Sequence, residues 1–335
     1  MGVLNISGSP HVHAHESVRS IMVDVCIALL PAVLVSLYFF GLAALKVLVL
    51  SVASCVFFEW FIQKYMLKKE LSVNDFSAVV TGILLALNVP SSLPWYVIII
   101  GALVSIGIAK MVFGGLGNNI FNPALVGRVF LLVSFPVQMT LWPNSGTVNN
   151  CFFNGIPQAD IDAMTGPTPL GTMGWNVSEA MKQYSYMDLF MGNDIGGSMG
   201  EVSVIALLAG GIFLLVRRVI SWHIPVSFIL SAFVFSGILF LFDSAKFATP
   251  LFHILSGGMM LGAIFMATDM VTSPMTAWGK IVFGTFCGLI TILIRCFGAY
   301  PEGVSFAILI MNAFVPLINT WFKPTRFGVV KEVRK

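Results

Sequence analysis

Apolar runs follow one another along the chain with short polar breaks between them. They cover approximately residues 20–41, 42–61, 76–89, 95–113 and 120–136, then 203–220, 223–242, 250–267, 280–297 and 303–321. Most approach the ~20 residues that an α-helix needs to cross a hydrocarbon core, so the pattern predicts an all-α polytopic membrane protein of about ten transmembrane helices. A polar stretch at 137–201 splits the runs into two sets of five. An odd number per half makes the second half enter the membrane from the opposite side, which predicts two inverted five-helix repeats. Weak internal likeness agrees. Thr81-Gly82 heads a short run ending Val89-Pro90-Ser91-Ser92, and Gly257-Gly258 heads one ending Thr272-Ser273-Pro274, each the third run of its half. Phe121-Asn122-Pro123-Ala124 is likewise echoed by Met311-Asn312-Ala313. The expected division is a segment 1–19, a membrane half 20–136, a loop 137–201, a second half 202–322 and a basic tail 323–335.

Composition sharpens this. The chain is 57% hydrophobic and 10% charged with mean hydropathy +0.92, whereas soluble domains carry about 25% charged residues. A net charge of +3 without basic–aromatic interleaving argues against nucleic acid as a partner. With the tail in the cytoplasm, Arg19, Lys64, Lys68, Lys69, Lys110, Arg217, Arg218 and Lys280 also fall there, and Lys46, Lys182, Lys246 and Arg295 fall at the outer ends. This distribution obeys the positive-inside rule, so both termini are expected to be cytoplasmic and the long loop external. The first apolar run is long and lacks a small-residue cleavage site, and is expected to stay as an anchor.

Few residues inside the runs offer chemistry. Cys26, Cys55, Cys151, Cys287 and Cys296 show no C-x-x-C spacing, so neither a disulfide framework nor a zinc or iron–sulfur site is expected from this chain alone, which leaves open a single cysteine given to a cluster shared with another subunit. His11, His13 and His15 alternate in a polar terminal segment, where solvated histidines are commoner than ligands. Gly114 to Pro123 is too rich in glycine and asparagine to be lipid-exposed helix. Asn122 before Pro123 reads as a helix cap whose free N–H groups suit an anion or a carbonyl, although an ordinary loop reads the same way. Arg128 lies within an apolar run, at a cost of about 2.5–3.5 kcal/mol or more unless it faces a carboxylate, a cofactor or a partner subunit. Of the acids in or beside the runs, Asp24, Glu59, Asp75, Asp243, Asp269 and Glu302, Asp24 and Asp269 are the candidates for an ion path. Helix-end acids that merely cap or snorkel are the competing reading.

The polar loop holds Asp162-Ala163-Met164-Thr165-Gly166-Pro167-Thr168-Pro169-Leu170. Gly166, Pro167 and Pro169 argue against helix here and leave two threonine hydroxyls on an accessible turn, a geometry that suits covalent modification. Glycine, proline and threonine between apolar runs also mark a plain loop.

Asp162-x-x-Thr165-Gly166-x-Thr168 resembles the flavinylation motif of the RnfD/NqrB family of membrane redox subunits, in which a flavin transferase joins FMN through its phosphate to the last threonine. Pro167 stands where that family usually has alanine. Ser9-Pro10-His11, Phe121 to Ala124, Gly127 to Leu131, Met266 to Pro274, Asn312 to Pro316 and Lys323 to Gly328 resemble the family as well, and the compact N-terminus is more similar to RnfD than to NqrB. The resemblance implies covalent FMN on Thr168, with Asp162, Thr165 and Gly166 as its recognition motif and with Asn122 and Arg128 lining a flavin cavity or ion path. It implies a subunit of a ferredoxin:NAD+ oxidoreductase in a bacterial or archaeal inner membrane. Electrons would arrive from an FMN-bearing RnfG-like subunit, coupled to Na+ or H+ translocation, and a second, noncovalent flavin is left open. An NqrB-type subunit of a Na+-pumping NADH:quinone reductase is the alternative within the family. A non-redox inverted-repeat solute transporter is the alternative outside it.

Overall fold

The computed structural model describes residues 17–68, 71–143, 165–175, 177–192, 196–244, 246–298, 300 and 302–323. Helix dominates, and the only β pairing among the described residues is a single bridge between Pro143 and Thr165. The protein is an all-α polytopic membrane protein, with four helical stretches long and apolar enough to cross a bilayer and shorter apolar helices between them.

Helix α1 runs from Val18 to Phe61. A straight helix of 44 residues would measure about 65 Å, twice the thickness of a hydrocarbon core. Gly41, at φ 57° and ψ −137°, interrupts it in a conformation that a side chain would oppose. Both ends then return to one place. The Arg19 guanidinium lies 5.4 Å from the centroid of the Phe76 ring, and Glu59 pairs with Lys110, which also donates to Ser77. Two arms therefore fold back on each other at Gly41, and they correspond to the expected runs 20–41 and 42–61.

Helices α2 (Ser77–Leu87), α3 (Trp95–Leu103, continued in wider π-helical turns through Val104–Met111), α4 (Pro123–Ser134) and the short α5 (Pro136–Thr140) complete the first half. At 11 and 12 residues, α2 and α4 reach about 16–18 Å and cannot cross a bilayer alone. Residues 88–93 continue from α2 without helix and are buried throughout, as irregular backbone at membrane depth must be.

The polar stretch carries three short helices, α6 (Pro169–Trp175), α7 (Val177–Gln183) and α8 (Tyr186–Met191). Their Leu170, Met173, Ala180 and Leu189 form a small core with Ala248 and Phe252, which docks this segment on the bundle.

The second half comprises α9 (Val204–Val216), α10 (His223–Phe242), α11 (Pro250–Leu255), α12 (Met259–Leu261, continued by π-helical turns Gly262–Met266), α13 (Ala277–Phe297) and α14 (Val304–Trp321). The expected run 250–267 is therefore broken at Ser256-Gly257-Gly258, where Gly257 takes φ 68°. The half-length helices α2 and α12 end against each other, with Asn88 Nδ2 3.6 Å from Met266 Sδ. Gly284 and Gly288 of α13 face Ser227, Phe228 and Ser231 of α10, a small-residue seam that lets two backbones approach without lipid between them.

Candidate functional site

The site is organised along α4. Its first residue is Pro123, and Asn122 caps it as the Asn-Pro pair predicts: Oδ1 accepts from the N–H groups of Ala124 (3.1 Å) and Leu125 (3.4 Å). Asn122 Nδ2 donates to the Met266 carbonyl at 3.2 Å, tying α4 to the end of α12. The Asn312 amide, oriented by its neighbours, accepts from the Asn122 N–H and donates to the Thr272 carbonyl, both at 3.2 Å.

Arg128 stands nearly two turns further along, about 9 Å away. It is buried, and its Nη1 donates to Asn88 Oδ1 (3.1 Å) and Ser305 Oγ (2.7 Å). Its Nη2 pairs with Glu302 and lies 3.9 Å from Glu201 Oε1. Carboxylates, one beside α9 and one just ahead of α14, are thus its partners. From sequence, Glu201 reads as a loop acid and Glu302 as a helix-end acid. The signal was the arginine itself, since a cation inside an apolar run requires a counter-charge.

Thr168 lies on the wall of this charged cluster. One cavity beside it is lined by Arg128, Trp142, Tyr300, Glu302 and Phe306, and an adjoining one by Glu201, Ser256, Gly257 and Glu302. The expected accessible turn is corrected here: Thr168 is 8% exposed and caps α6, its Oγ1 accepting from the Gly171 N–H at 3.0 Å. Pro169 opens the helix instead of preventing it, because a first-turn proline has no hydrogen bond to lose. Thr165 pairs with Pro143, the Gly166 N–H donates to the Trp142 carbonyl at 3.1 Å, and the Tyr184 hydroxyl donates to the Pro167 carbonyl at 3.2 Å. Burial raises the Tyr184 phenol above its usual pKa. Asp162 and Cys151 lie outside the described residues, as do His11, His13 and His15.

A different cavity, of about 80 Å³, opens at the other end of α4. Apolar walls from Ile21, Val25, Leu84, Leu214 and Phe265 enclose Lys110, Asn119, Asn122 and Asp269. Lys110 Nζ is 2.6 Å from Glu59 Oε2 and 2.7 Å from Ser77 Oγ, while Glu59 Oε1 accepts from Ser72 and Gln63. Asp269 accepts from the Thr272 hydroxyl at 3.1 Å. Asp24 points away to Arg217, in a bidentate pair at 2.9–3.2 Å. Arg19, Lys64, Lys110, Arg217 and Lys280 all belong to this basic end, by their contacts with Phe76, Trp60, Ser77, Asp24 and Ser221. The expected site residues therefore divide: Thr168 and Arg128 share one end, Asn122 and Asp269 the other, and Asp24 closes a flank.

Comparison with known proteins adds the lineage. The profile of the NQR2, RnfD, RnfE family matches residues 5–328. The D subunit of the Na(+)-translocating ferredoxin:NAD(+) oxidoreductase complex of Acetobacterium woodii is 45% identical over 98% of this chain and 96% of its own length. The D subunit of the proton-translocating ferredoxin:NAD(+) oxidoreductase complex of Clostridium ljungdahlii is 40% identical over 97% of this chain and 96% of its own. The D subunit of the ion-translocating oxidoreductase complex of Cronobacter sakazakii is 38% identical over 97% and 99%.

Proposed function

Since the chain belongs to the NQR2, RnfD, RnfE family, we propose that it is the D subunit of an ion-translocating ferredoxin:NAD+ oxidoreductase and carries electrons on FMN joined through its phosphate to Thr168. The observation that carries the reading is the position of the Thr168 hydroxyl, on a cavity whose walls are the rings of Trp142, Tyr300 and Phe306 and the guanidinium of Arg128. Aromatic faces and a buried cation suit a planar, redox-active ring and its phosphate. When bound, the flavin would supply one- and two-electron chemistry at a potential set by its surroundings. The chain's own residues would do the rest. Thr168 anchors, the three rings exclude water, and Glu302, Asn88 and Ser305 hold the Arg128 head in place. Because the Thr168 hydroxyl is buried and hydrogen-bonded, the flavin transferase would have to meet the turn before α6 settles.

The basic end would face the cytoplasm of a bacterial inner membrane, with Thr168 on the outer side, beside an FMN-bearing subunit of the complex. Two inverted repeats account for α2 and α12 entering from opposite ends and meeting at Asn88 and Met266. Relatives named for Na+ and for protons are both close to this chain, so Na+ or H+ would be the coupled ion.

The test is in-gel flavin fluorescence of the denatured protein after expression with an active transferase. Wild type is expected to fluoresce, Thr168→Ala to be dark, and Thr168→Ser, which keeps the hydroxyl and the helix cap, to fluoresce. A dark wild type would overturn the covalent flavin and leave the family membership untouched.

A further inference from the structure

We propose that the cavity between the α9–α10 turn and the start of α13 binds the phosphate of an anionic phospholipid. It measures about 260 Å³, and its lining includes Ser221, Ile224, Thr268, Ser273, Met275 and Lys280. A single water needs about 10–15 Å³ of such space, so a phosphate and part of its glycerol have room.

The polar groups on this wall are donors in want of an acceptor. Lys280 is half-buried, and among the described residues its Nζ has one partner, Ser221 Oγ at 3.1 Å, and no carboxylate. Lys110, Arg128 and Arg217, by contrast, each face a carboxylate. A cation drawn partly out of water without a counter-charge is costly, so the cavity calls for an anion. Lys280 also stands in the first turn of α13, a 21-residue helix with no acid in that turn, where the helix dipole opposes a positive charge and favours a negative one. Ser221 receives the bond from Lys280 and keeps its own hydroxyl proton for a further acceptor. Ser273, 9% exposed on the same wall, makes no side-chain hydrogen bond among the described residues. Asp269, the nearest acid in sequence, lines the neighbouring cavity of about 80 Å³ and accepts from Thr272.

Position names the carrier of the phosphate. Trp222 follows Ser221 and Trp278 lies two residues before Lys280, and both are exposed, as tryptophans at a membrane–water boundary are. Arg217 and Arg218 close α9 just ahead of the cavity and add positive charge at the same end. Beside the donors, Ile220, Ile224, Pro274 and Met275 supply apolar surface. A basic pocket between helices at this depth suits a lipid head group whose chains run on along the helices. A free phosphate would leave the apolar part of the wall uncovered. Thr168 and its cavities lie at the other end of α4, so this site stands apart from the flavin reading.

The experiment is thermal unfolding of the full-length chain, delipidated in detergent, across a series of mixed micelles with dioleoylphosphatidylglycerol. Dioleoylphosphatidylcholine and inorganic phosphate form two further series. Wild type is expected to show a saturable rise of the midpoint with phosphatidylglycerol, and little or none with the other two. Lys280→Gln should raise the apparent Kd for phosphatidylglycerol about fivefold or more, the worth of one basic residue at a lipid surface, and Lys280→Arg should keep it near wild type. Ser273→Ala should raise it about threefold. Lys64→Gln removes an equal charge from the same end, where Lys64 lies over the Trp60 ring, and should leave the response unchanged. Equal midpoints with phosphatidylglycerol and phosphatidylcholine would overturn the anionic lipid. Equal losses in Lys64→Gln and Lys280→Gln would overturn the site, by spreading the effect over the whole basic end. A rise with inorganic phosphate that matches the lipid would overturn lipid as the carrier.

Discussion

The two ends of α4 solve the burial of charge in opposite ways. At the Thr168 end, Arg128 is shared among two carboxylates, an amide and a hydroxyl. At the basic end Lys110 has one carboxylate, Glu59, and beyond that pair lies a roomier cavity with mainly apolar walls. A network with several counter-charges fixes geometry and resists the loss of any one member except its centre. A lone pair can be removed whole. The first arrangement suits a place where charge must be held and balanced; the second suits a place where an apolar body or a moving side chain needs room.

Melting the variants in detergent would break or sharpen that contrast. Arg128→Met leaves two carboxylates buried without their cation and should destabilise the chain most, by about 3–5 kcal/mol or more. Lys110→Met strands Glu59 alone, still supplied with donors from Ser72 and Gln63, and should fall near the lower end of the same range. A larger loss for Lys110→Met than for Arg128→Met would reverse the comparison. The double variant Glu59→Leu with Lys110→Met should recover most of the single loss and lie within about 1–2 kcal/mol of wild type, since both charges leave together. Asn122→Ala removes the cap of α4 and the bond to Met266, for about 1–2 kcal/mol. Asp24→Asn should be the mildest, below about 1 kcal/mol, because Arg217 is half in solvent and its pair is screened.

Much of the architecture was written in local pattern. The apolar runs marked the helices and the Asn122-Pro123 pair marked the start of α4, whereas the run 250–267 read as continuous and is broken at Ser256-Gly257-Gly258. What could not be read locally depends on contacts between distant parts of the chain. Arg128 announced a need for counter-charge, but nothing near it in sequence named Glu201 or Glu302. Thr168 sits in a turn-forming stretch, and only the docking of Leu170 with Phe252 and the reach of Tyr184 to Pro167 turn that stretch inward. Asp24 looked like a buried acid in an apolar run. Its partner, Arg217, comes from the end of α9 and converts it into an interhelical clasp.

The fold-back at Gly41 bears on how the protein is made. Reversal at a single glycine, flanked by Phe39, Phe40, Leu42 and Ala43, leaves no hydrophilic loop between the two arms of α1. A nascent chain of this kind can enter the bilayer as one preformed hairpin, with Lys46 the only charge between Val25 and Phe58 to be carried across the hydrocarbon. The first two crossings would then be a single event in biogenesis.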